Sequence, residues 1–94
     1  MKAVFRVDSS TQMGLGHLMR CLSLADELKK QNHNITFICR ELNGNSIELA
    51  KHKHTVNTLP KNENYQSDDL YLKWLGATQD IDAKQTIEKL PENI

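Results

Sequence analysis

Short apolar runs recur along the first sixty residues and are separated by stretches with helical spacing. Residues 2–7 and 35–39 are almost continuously apolar, which is typical of strands buried on both faces of a parallel sheet. Residues 54–59 alternate apolar and polar positions and end at Pro60. This weaker pattern predicts a third strand that is less buried or lies at the edge of the sheet.

The segments between and after these runs predict helices. Over residues 17–31, apolar side chains recur every three or four positions, which places them on one face of a helix. That face is formed by Leu18, Leu22, Ala25 and Leu28. Further helical segments are predicted over about 46–53, 68–75 and 78–90, the last with Ala83, Ile87 and Leu90 on one face.

This alternation of strands and helices predicts an α/β fold. We expect a three-stranded parallel Rossmann-like sheet with flanking helices, joined by right-handed crossovers. The chain has 94 residues, which is at the low edge of ordinary domain size. Its last predicted element is a helix, where an α/β protein would usually add another strand. Residues 1–94 are therefore expected to form an incomplete N-terminal domain.

The composition narrows the classes of function. Lys and Arg total 12, and Asp and Glu total 12, so the basic excess of a nucleic-acid-binding protein is missing. Residues 1–60 hold eight basic and five acidic residues; this is either a preference for an anionic small ligand or ordinary scatter. The sequence shows no signal peptide, no run of 18 apolar residues and no metal-ligand spacing around its two cysteines. We expect a cytoplasmic protein without a membrane segment, a nucleic-acid partner, a metal or a cofactor.

The loop between the first strand and the first helix is the segment that carries most chemical information. Residues 6–20 read RVDSSTQMGLGHLMR. In open α/β sheets, ligands bind at the carboxyl ends of the strands, where a helix N-terminus offers unpaired N–H groups. Gly14 and Gly16 would let the backbone approach a ligand closely. His17 falls in the first helical turn, and histidine suits acid–base chemistry near neutrality.

Three interpretations of this loop stay open on the residues alone. A dinucleotide-binding loop would need glycine where Met19 stands. A purely structural glycine turn would make His17 a helix cap. A nucleotide-sugar or phosphate site would give His17 a chemical role.

The loop closely resembles the start of the UDP-sugar hydrolases of pseudaminic acid biosynthesis, a pattern also found in proteins of spore-coat polysaccharide biosynthesis. The resemblance is carried by RVDSS at 6–10 and MGLGHLMRCLSLA at 13–25, and it is supported by WLG at 74–76, DA at 82–83 and TI at 86–87. More distantly, the glycine loop is similar to that of the lipid II-forming glycosyltransferases, which share the GT-B architecture.

The resemblance implies a GT-B-type protein of two Rossmann-like domains with the active site between them. This chain would be the N-terminal part, and the C-terminal nucleotide-binding domain, which makes most UDP contacts, would be absent from it. The implied reaction is metal-independent hydrolysis of UDP-2,4-diacetamido-2,4,6-trideoxy-β-L-altropyranose by inverting attack of water at C1. His17 matches the family's proposed base or water-positioning group. The positions that match the substrate-binding loop are Asp8, Ser9, Ser10, Gly14, Gly16 and Arg20.

Several of these residues also have structural interpretations. Asp8 could orient His17, bind a sugar amide or serve as a loop carboxylate. Arg20 could reach a phosphate or form a salt bridge with Asp8. Residues 51–54 (KHKH) predict a solvated basic patch, and both cysteines are expected to be packed thiols. Caps and a solvated face are expected for Asp68, Asp69, Asp80 and Asp82.

Two alternatives to a hydrolase remain. A glycosyltransferase of the same architecture would hold an acceptor, rather than water, at the loop. A non-catalytic fragment would only self-associate, because unpaired sheet edges and exposed apolar faces promote pairing with another copy. We expect dimers or larger species of this chain.

Overall fold

The computed structural model describes residues 1–61, 77 and 79–91. Three strands and two helices alternate strictly up to residue 61, and a third helix lies within residues 79–91. The predicted helical turn over 68–75 lies outside the described residues. The elements are β1 (Lys2–Arg6), α1 (Gly16–Lys30), β2 (Asn34–Arg40), α2 (Ile47–Lys51), β3 (Thr55–Leu59) and α3 (Gln79–Glu88).

The three strands form one parallel sheet in the order β1-β2-β3. Each crossover between neighbouring strands carries a helix, α1 or α2, as a parallel connection requires. The predicted three-stranded parallel α/β sheet with flanking helices is therefore confirmed, and each strand lies within one residue of its predicted bounds. Within the described residues β3 lies at one edge of the sheet, as its weaker alternation predicts.

One face of the sheet holds the apolar core. Phe5 of β1 and Phe37 of β2 are register partners whose rings stack with centroids 5.0 Å apart. Helix α1 covers them with Leu18, Leu22 and Ala25, all buried, so the predicted apolar face of this helix is confirmed. Helix α2 adds Ile47 and Ala50 to the same cluster.

The two cysteines belong to this core rather than to a reactive site. Cys39 is buried on β2, and Cys21 is partly buried on α1. Burial raises the pKa of the Cys39 thiol to about 11 and also raises the pKa of the Cys21 thiol. Both groups stay protonated near neutrality, so the expectation of packed, unreactive thiols is confirmed.

The His54 side chain is buried between α1 and the sheet. Its assignment to a solvated basic patch is therefore wrong. Its side chain is 1% exposed and lies 5.4 Å, centroid to centroid, from the Phe37 ring. His54 Nε2 lies 2.9 Å from Asp26 Oδ1 of α1. That hydrogen bond is the main reason that the pKa of Asp26 is lowered. The sequence pattern missed this because a strand-preceding histidine looks the same whether it faces solvent or a carboxylate.

The opposite face of the sheet is covered in a different way. The predicted helix is present as α3, but it contains no buried residue, and Ile87 on its apolar face is 67% exposed. Polar contacts join the helix to the sheet. Asp82 bonds to arginines of β1 and β2, and Asn57 Nδ2 of β3 donates to the Lys89 carbonyl oxygen just beyond the helix, at 2.9 Å. No helix among the described residues is long and apolar enough to cross a membrane.

Burial predicts a large contrast between two identical substitutions in α1. Leu18 is 1% exposed and Leu24 is 54% exposed. Leu18→Ala removes core contacts and leaves a cavity, which should lower the free energy of unfolding by about 2–5 kcal/mol. Leu24→Ala keeps the same helix and the same change in side chain but should alter it by less than about 0.5 kcal/mol. Urea unfolding followed by circular dichroism measures both, and equal losses would contradict the core described above.

Candidate functional site

The loop that joins β1 to α1 lies at the carboxyl end of the sheet and is fastened by its own serines. Ser9 is 3% exposed, and its Oγ accepts a hydrogen bond from the Ser46 N–H at 2.8 Å. The Ser10 Oγ accepts from the Met13 N–H at 2.9 Å, and the Ser10 carbonyl accepts from the Gly14 N–H at 2.8 Å. Both serines, which the resemblance assigns to substrate binding, therefore use their side-chain oxygens to hold the loop.

A second clamp joins this loop to the turn between β2 and α2. The Thr11 N–H donates to the Asn43 carbonyl oxygen at 3.0 Å. Gly44 has a φ of +72°, and a Cβ added there would collide with the Thr11 hydroxyl oxygen and approach the Thr11 backbone nitrogen to 2.9 Å. Because only glycine fits this close approach, the two segments pack backbone against backbone. The loop is preorganised by contacts that owe nothing to a ligand.

Asp8 is the first loop residue to leave the sheet, and it is bound to arginines rather than to the predicted partners. Its Oδ1 accepts from Arg6 Nη1 at 2.6 Å and from the Arg40 backbone N–H at 2.8 Å. Among the described residues, no hydrogen bond or ion pair joins Asp8 to His17 or to Arg20. The predicted Asp8–Arg20 salt bridge is therefore absent from this part of the structure, and Asp8 ties β1 to β2.

Asp82 completes a four-residue charge cluster at this end of the sheet, which we call the arginine–aspartate cluster: Arg6, Asp8, Arg40 and Asp82. Asp82 Oδ1 accepts from Arg6 Nη2 at 2.6 Å and from Arg40 Nη2 at 2.7 Å. The Arg40 side chain is 1% exposed, and its Nη1 donates to the Pro60 carbonyl oxygen at 2.8 Å. The expectation that Asp82 belongs to a solvated face is wrong, because its side chain is 13% exposed and its carboxylate pairs with two guanidinium groups.

The charges of this cluster shift the pKa values of two of its members, Arg6 and Asp82. Burial alone would raise the pKa of Asp82, but the hydrogen bonds from Arg6 and Arg40 outweigh it and lower that pKa. Burial likewise opposes the charge on Arg6, yet its bonds to Asp8 and Asp82 raise the pKa of Arg6. Both shifts favour the charged forms of Arg6 and Asp82.

Sequence reasoning missed Arg6, Arg40 and Asp82 as partners. A signal existed, because Arg6 and Arg40 each occupy the last position of an otherwise apolar strand. A charged residue at such a position needs a counter-charge. The identity of that partner could not be read from the sequence, since Asp82 lies 76 positions from Arg6 along the chain.

The N-terminus of α1 contrasts with this satisfied cluster. The helix has no side-chain cap and no acidic residue in its first turn, and its first intrahelical bond runs from the Met19 N–H to the Leu15 carbonyl. His17 and Arg20 are exposed, and the structure gives neither side chain a polar partner among the described residues. The predicted site residues therefore divide into two groups. Asp8, Ser9 and Ser10 hold the loop, while His17 and Arg20 are free at its end.

The two loop glycines differ in whether the backbone conformation requires glycine. Gly14 has a φ of +80°, a conformation that side chains other than glycine rarely adopt. Gly16 has no such φ, and no atom of the described residues lies within 4 Å of a Cβ added there. Among the described residues, no steric contact therefore requires glycine at position 16.

A basic groove at the other end of the sheet has an ordinary structural explanation. It is lined at the amino ends of β2 and β3 by Lys29, His33, Lys51, Lys53 and His54, among others. These residues surround the C-termini of α1 and α2, where cations complement the helix dipoles. In the part of the chain that the structure describes, no group of three or more metal-ligating side chains occurs.

Comparisons with known proteins give two partial relatives. An uncharacterized protein of Methanocaldococcus jannaschii is 32% identical over 89 residues, which cover 86% of this chain and 18% of the relative. The UDP-2,4-diacetamido-2,4,6-trideoxy-β-L-altropyranose hydrolase of Campylobacter jejuni is 46% identical over 48 residues, which cover 51% of this chain and 16% of that enzyme. The matches thus span less than a fifth of either relative. No protein-family model matches the chain, and no solved structure matches it.

The lowered pKa of Asp82 predicts how stability depends on pH. A carboxylate whose pKa is lower in the folded state stabilises the fold fully above its unfolded value, about 3.9, and this contribution is lost as the pH falls through the folded value. At pH 7, Asp82→Asn should lower the free energy of unfolding by about 1.5–3 kcal/mol, the usual loss for hydrogen bonds to charged groups. The difference between variant and parent should shrink as the pH falls through the folded pKa of Asp82, because the parent carboxylate then also becomes neutral. Urea titrations at pH 7 and at a series of acid pH values test this, and a difference that stays constant would refute it.

The two glycines predict opposite responses to alanine. Gly14→Ala forces a side chain into the left-handed region and should destabilise the fold by about 1–2 kcal/mol. Gly16→Ala meets no atom and should be neutral or stabilising by about 0.4–1 kcal/mol, because it restricts the unfolded chain. Thermal or denaturant unfolding of the two variants decides this. A loss of stability in Gly16→Ala would mean that the fold itself requires that glycine.

Proposed function

We propose that this chain is the N-terminal part of a UDP-sugar hydrolase whose site lies at the N-terminus of α1. The observation that carries the proposal is His17, which is exposed, without a polar partner among the described residues, in the uncapped first turn of a helix at the carboxyl end of a parallel sheet. Ligands of open α/β sheets bind at this end. The 46% identity with the Campylobacter jejuni hydrolase over half of the chain supports the substrate class.

The proposed reaction is the hydrolysis of a UDP-linked 2,4-diacetamido-2,4,6-trideoxy sugar in nonulosonic acid or surface polysaccharide synthesis. A water molecule attacks C1 of the sugar, the bond between C1 and the glycosidic oxygen breaks, and UDP leaves with the bonding electrons. His17 orients the water and accepts its proton, so the free sugar forms with inversion at C1. UDP leaves as a stabilised anion, which makes a general acid less necessary than for an alcohol leaving group. We assign the chemistry no metal and no cofactor.

In this proposal, the other loop residues either contact the substrate or hold the loop in place. The unpaired amides and positive dipole end of α1 favour negative charge near the sugar and its phosphates. Gly16 leaves room for the sugar to approach the backbone, and the exposed Arg20, one turn further along, can reach a phosphate oxygen. Asp8, Ser9 and Ser10 contribute by holding the loop. Most contacts to UDP are assigned to a second, nucleotide-binding domain.

Binding by the isolated chain is the first test. Titration with the UDP-sugar, followed by ¹H–¹⁵N NMR, should shift the amide signals of Gly14, Gly16 and His17 more than those of the amino ends of the strands. UDP alone should shift them less, because its contacts are assigned to the second domain. Shifts confined to the basic groove at the amino ends of β2 and β3 would place the ligand elsewhere and contradict the proposal.

Turnover tests the role of His17 directly. The chain is joined to the C-terminal region of the Campylobacter jejuni hydrolase, and UDP release is measured with a coupled assay. His17→Asn should lower the rate about 10²–10⁴-fold, the usual contribution of a positioned base. His52→Asn, the same change at an exposed histidine of the turn after α2, should leave the rate unaltered. Near-normal turnover of the His17→Asn variant would show that the assigned role is wrong.

The same assay separates the hydrolase from a glycosyltransferase of similar architecture. A hydrolase releases the free sugar without an acceptor. A transferase would release UDP only when an added acceptor receives the sugar.

A further inference from the structure

Helix α3 is joined to the sheet mainly through one carboxylate. None of its ten residues is buried, so its own apolar side chains contribute little to holding it, whereas Ile38 and Leu59 on the sheet are fully buried. Its described side-chain ties to the sheet converge on Asp82, whose Oδ1 accepts hydrogen bonds from Arg6 of β1 and Arg40 of β2. The position of α3 is therefore fixed by the demand of two guanidinium groups for a counter-charge.

Arg6 links Asp82 of α3 to Asp8 at the start of the glycine loop. Its Nη2 bonds to Asp82, and its Nη1 bonds to Asp8, both at 2.6 Å. A guanidinium is planar and rigid, so one carboxylate on each nitrogen fixes its plane and thereby the place of the other carboxylate. Asp8 is the residue at which the chain leaves β1, and Ser9 follows it directly.

Without Asp82 the cluster would hold two guanidinium groups and one carboxylate. Arg40 is 1% exposed and would keep only the Pro60 carbonyl as acceptor for its guanidinium. Asp8 already accepts from Arg6 and from the Arg40 backbone, so it is the nearest negative charge available to both arginines. A shift of Asp8 toward Arg40 would displace Ser9 from its bond to the Ser46 N–H.

We propose that Asp82 is a positioning residue for the glycine loop, acting through Arg6 and Asp8 on the segment that presents His17. The effect of Asp82 on catalysis rests on the proposed function. Its effect on the geometry of the loop does not. Asp82 touches no substrate in this scheme. It sets where the loop leaves the sheet, and so where the first turn of α1 lies.

Hydrogen exchange of the 94-residue chain tests the structural half. The amides of Thr11, Met13, Gly14 and Ser46 are hydrogen-bonded within the loop and its clamp and report its opening. In Asp82→Asn they should exchange at least about tenfold faster than in the parent. Asp80→Asn, the same change at an exposed position of α3, should leave them unaltered. Ile35→Ala lowers global stability at the buried amino end of β2 and should accelerate core amides but not these four.

Arg6→Lys tests the linkage where Asp82→Asn fails to fold. A lysine retains the charge but cannot hold two carboxylates in a fixed fork, and Arg40 keeps its bond to Asp82. The four loop amides should again exchange faster while α3 stays docked. Loop exchange at the parental rate in the folded variants, or equal acceleration in Ile35→Ala, would overturn the proposal.

Kinetics of the joined protein test the catalytic half. Because Asp82 positions His17 without touching substrate, Asp82→Asn should lower kcat about tenfold or more, with KM changed less than about twofold. A rise in KM at unchanged kcat would overturn the positioning role. If the parent protein releases no UDP at all, the proposed function fails, and the exchange experiment still decides whether Asp82 sets the loop.

Discussion

Two arginine side chains at the carboxyl end of the sheet must stay charged, and the structure depends on how their charge is balanced. A guanidinium does not lose its proton in a protein, so a buried arginine has to find acceptors and a counter-charge. Arg40 is almost wholly buried, and Arg6 is mostly so. Asp8 supplies one carboxylate from the chain that follows β1, and Asp82 supplies the other from α3. The need for the second carboxylate brings a helix from the far end of the chain onto the sheet.

This balance gives the sheet two unlike faces. On one face, stacked Phe5 and Phe37 lie under the apolar side of α1, and burial stabilises the contact. On the other face, hydrogen bonds and ion pairs fix α3, whose side chains remain exposed or half-buried.

Sequence periodicity was enough to predict the elements whose position depends on apolar burial. The spacing of Leu18, Leu22 and Ala25 predicts the buried face of α1, and the apolar runs predict the strands, because both depend on neighbours in sequence. The spacing of Ala83 and Ile87 predicts that they share one face of α3, but it could not predict the hydrogen bond from Asp82 to an arginine distant in sequence. The loop motif pointed to His17, and the structure leaves that side chain exposed. It could not show that Ser9 and Ser10 hold the loop, because a serine next to a glycine turn reads the same in either role.

The carboxyl end of the sheet combines a loop held by many hydrogen bonds with an uncapped helix N-terminus. At the carboxyl end of the sheet, the carboxylate of Asp8, the serine hydroxyl oxygens and the guanidinium of Arg40 all accept from or donate to neighbouring protein groups. Rigidity of this kind restricts the loop before any ligand arrives, which lowers the entropic cost of binding. The uncapped first turn of α1, beside the open space at Gly16, stands out against that background. In the proposed function, this hydrogen-bonded loop leads to the first turn of α1, where the exposed His17 would meet the ligand.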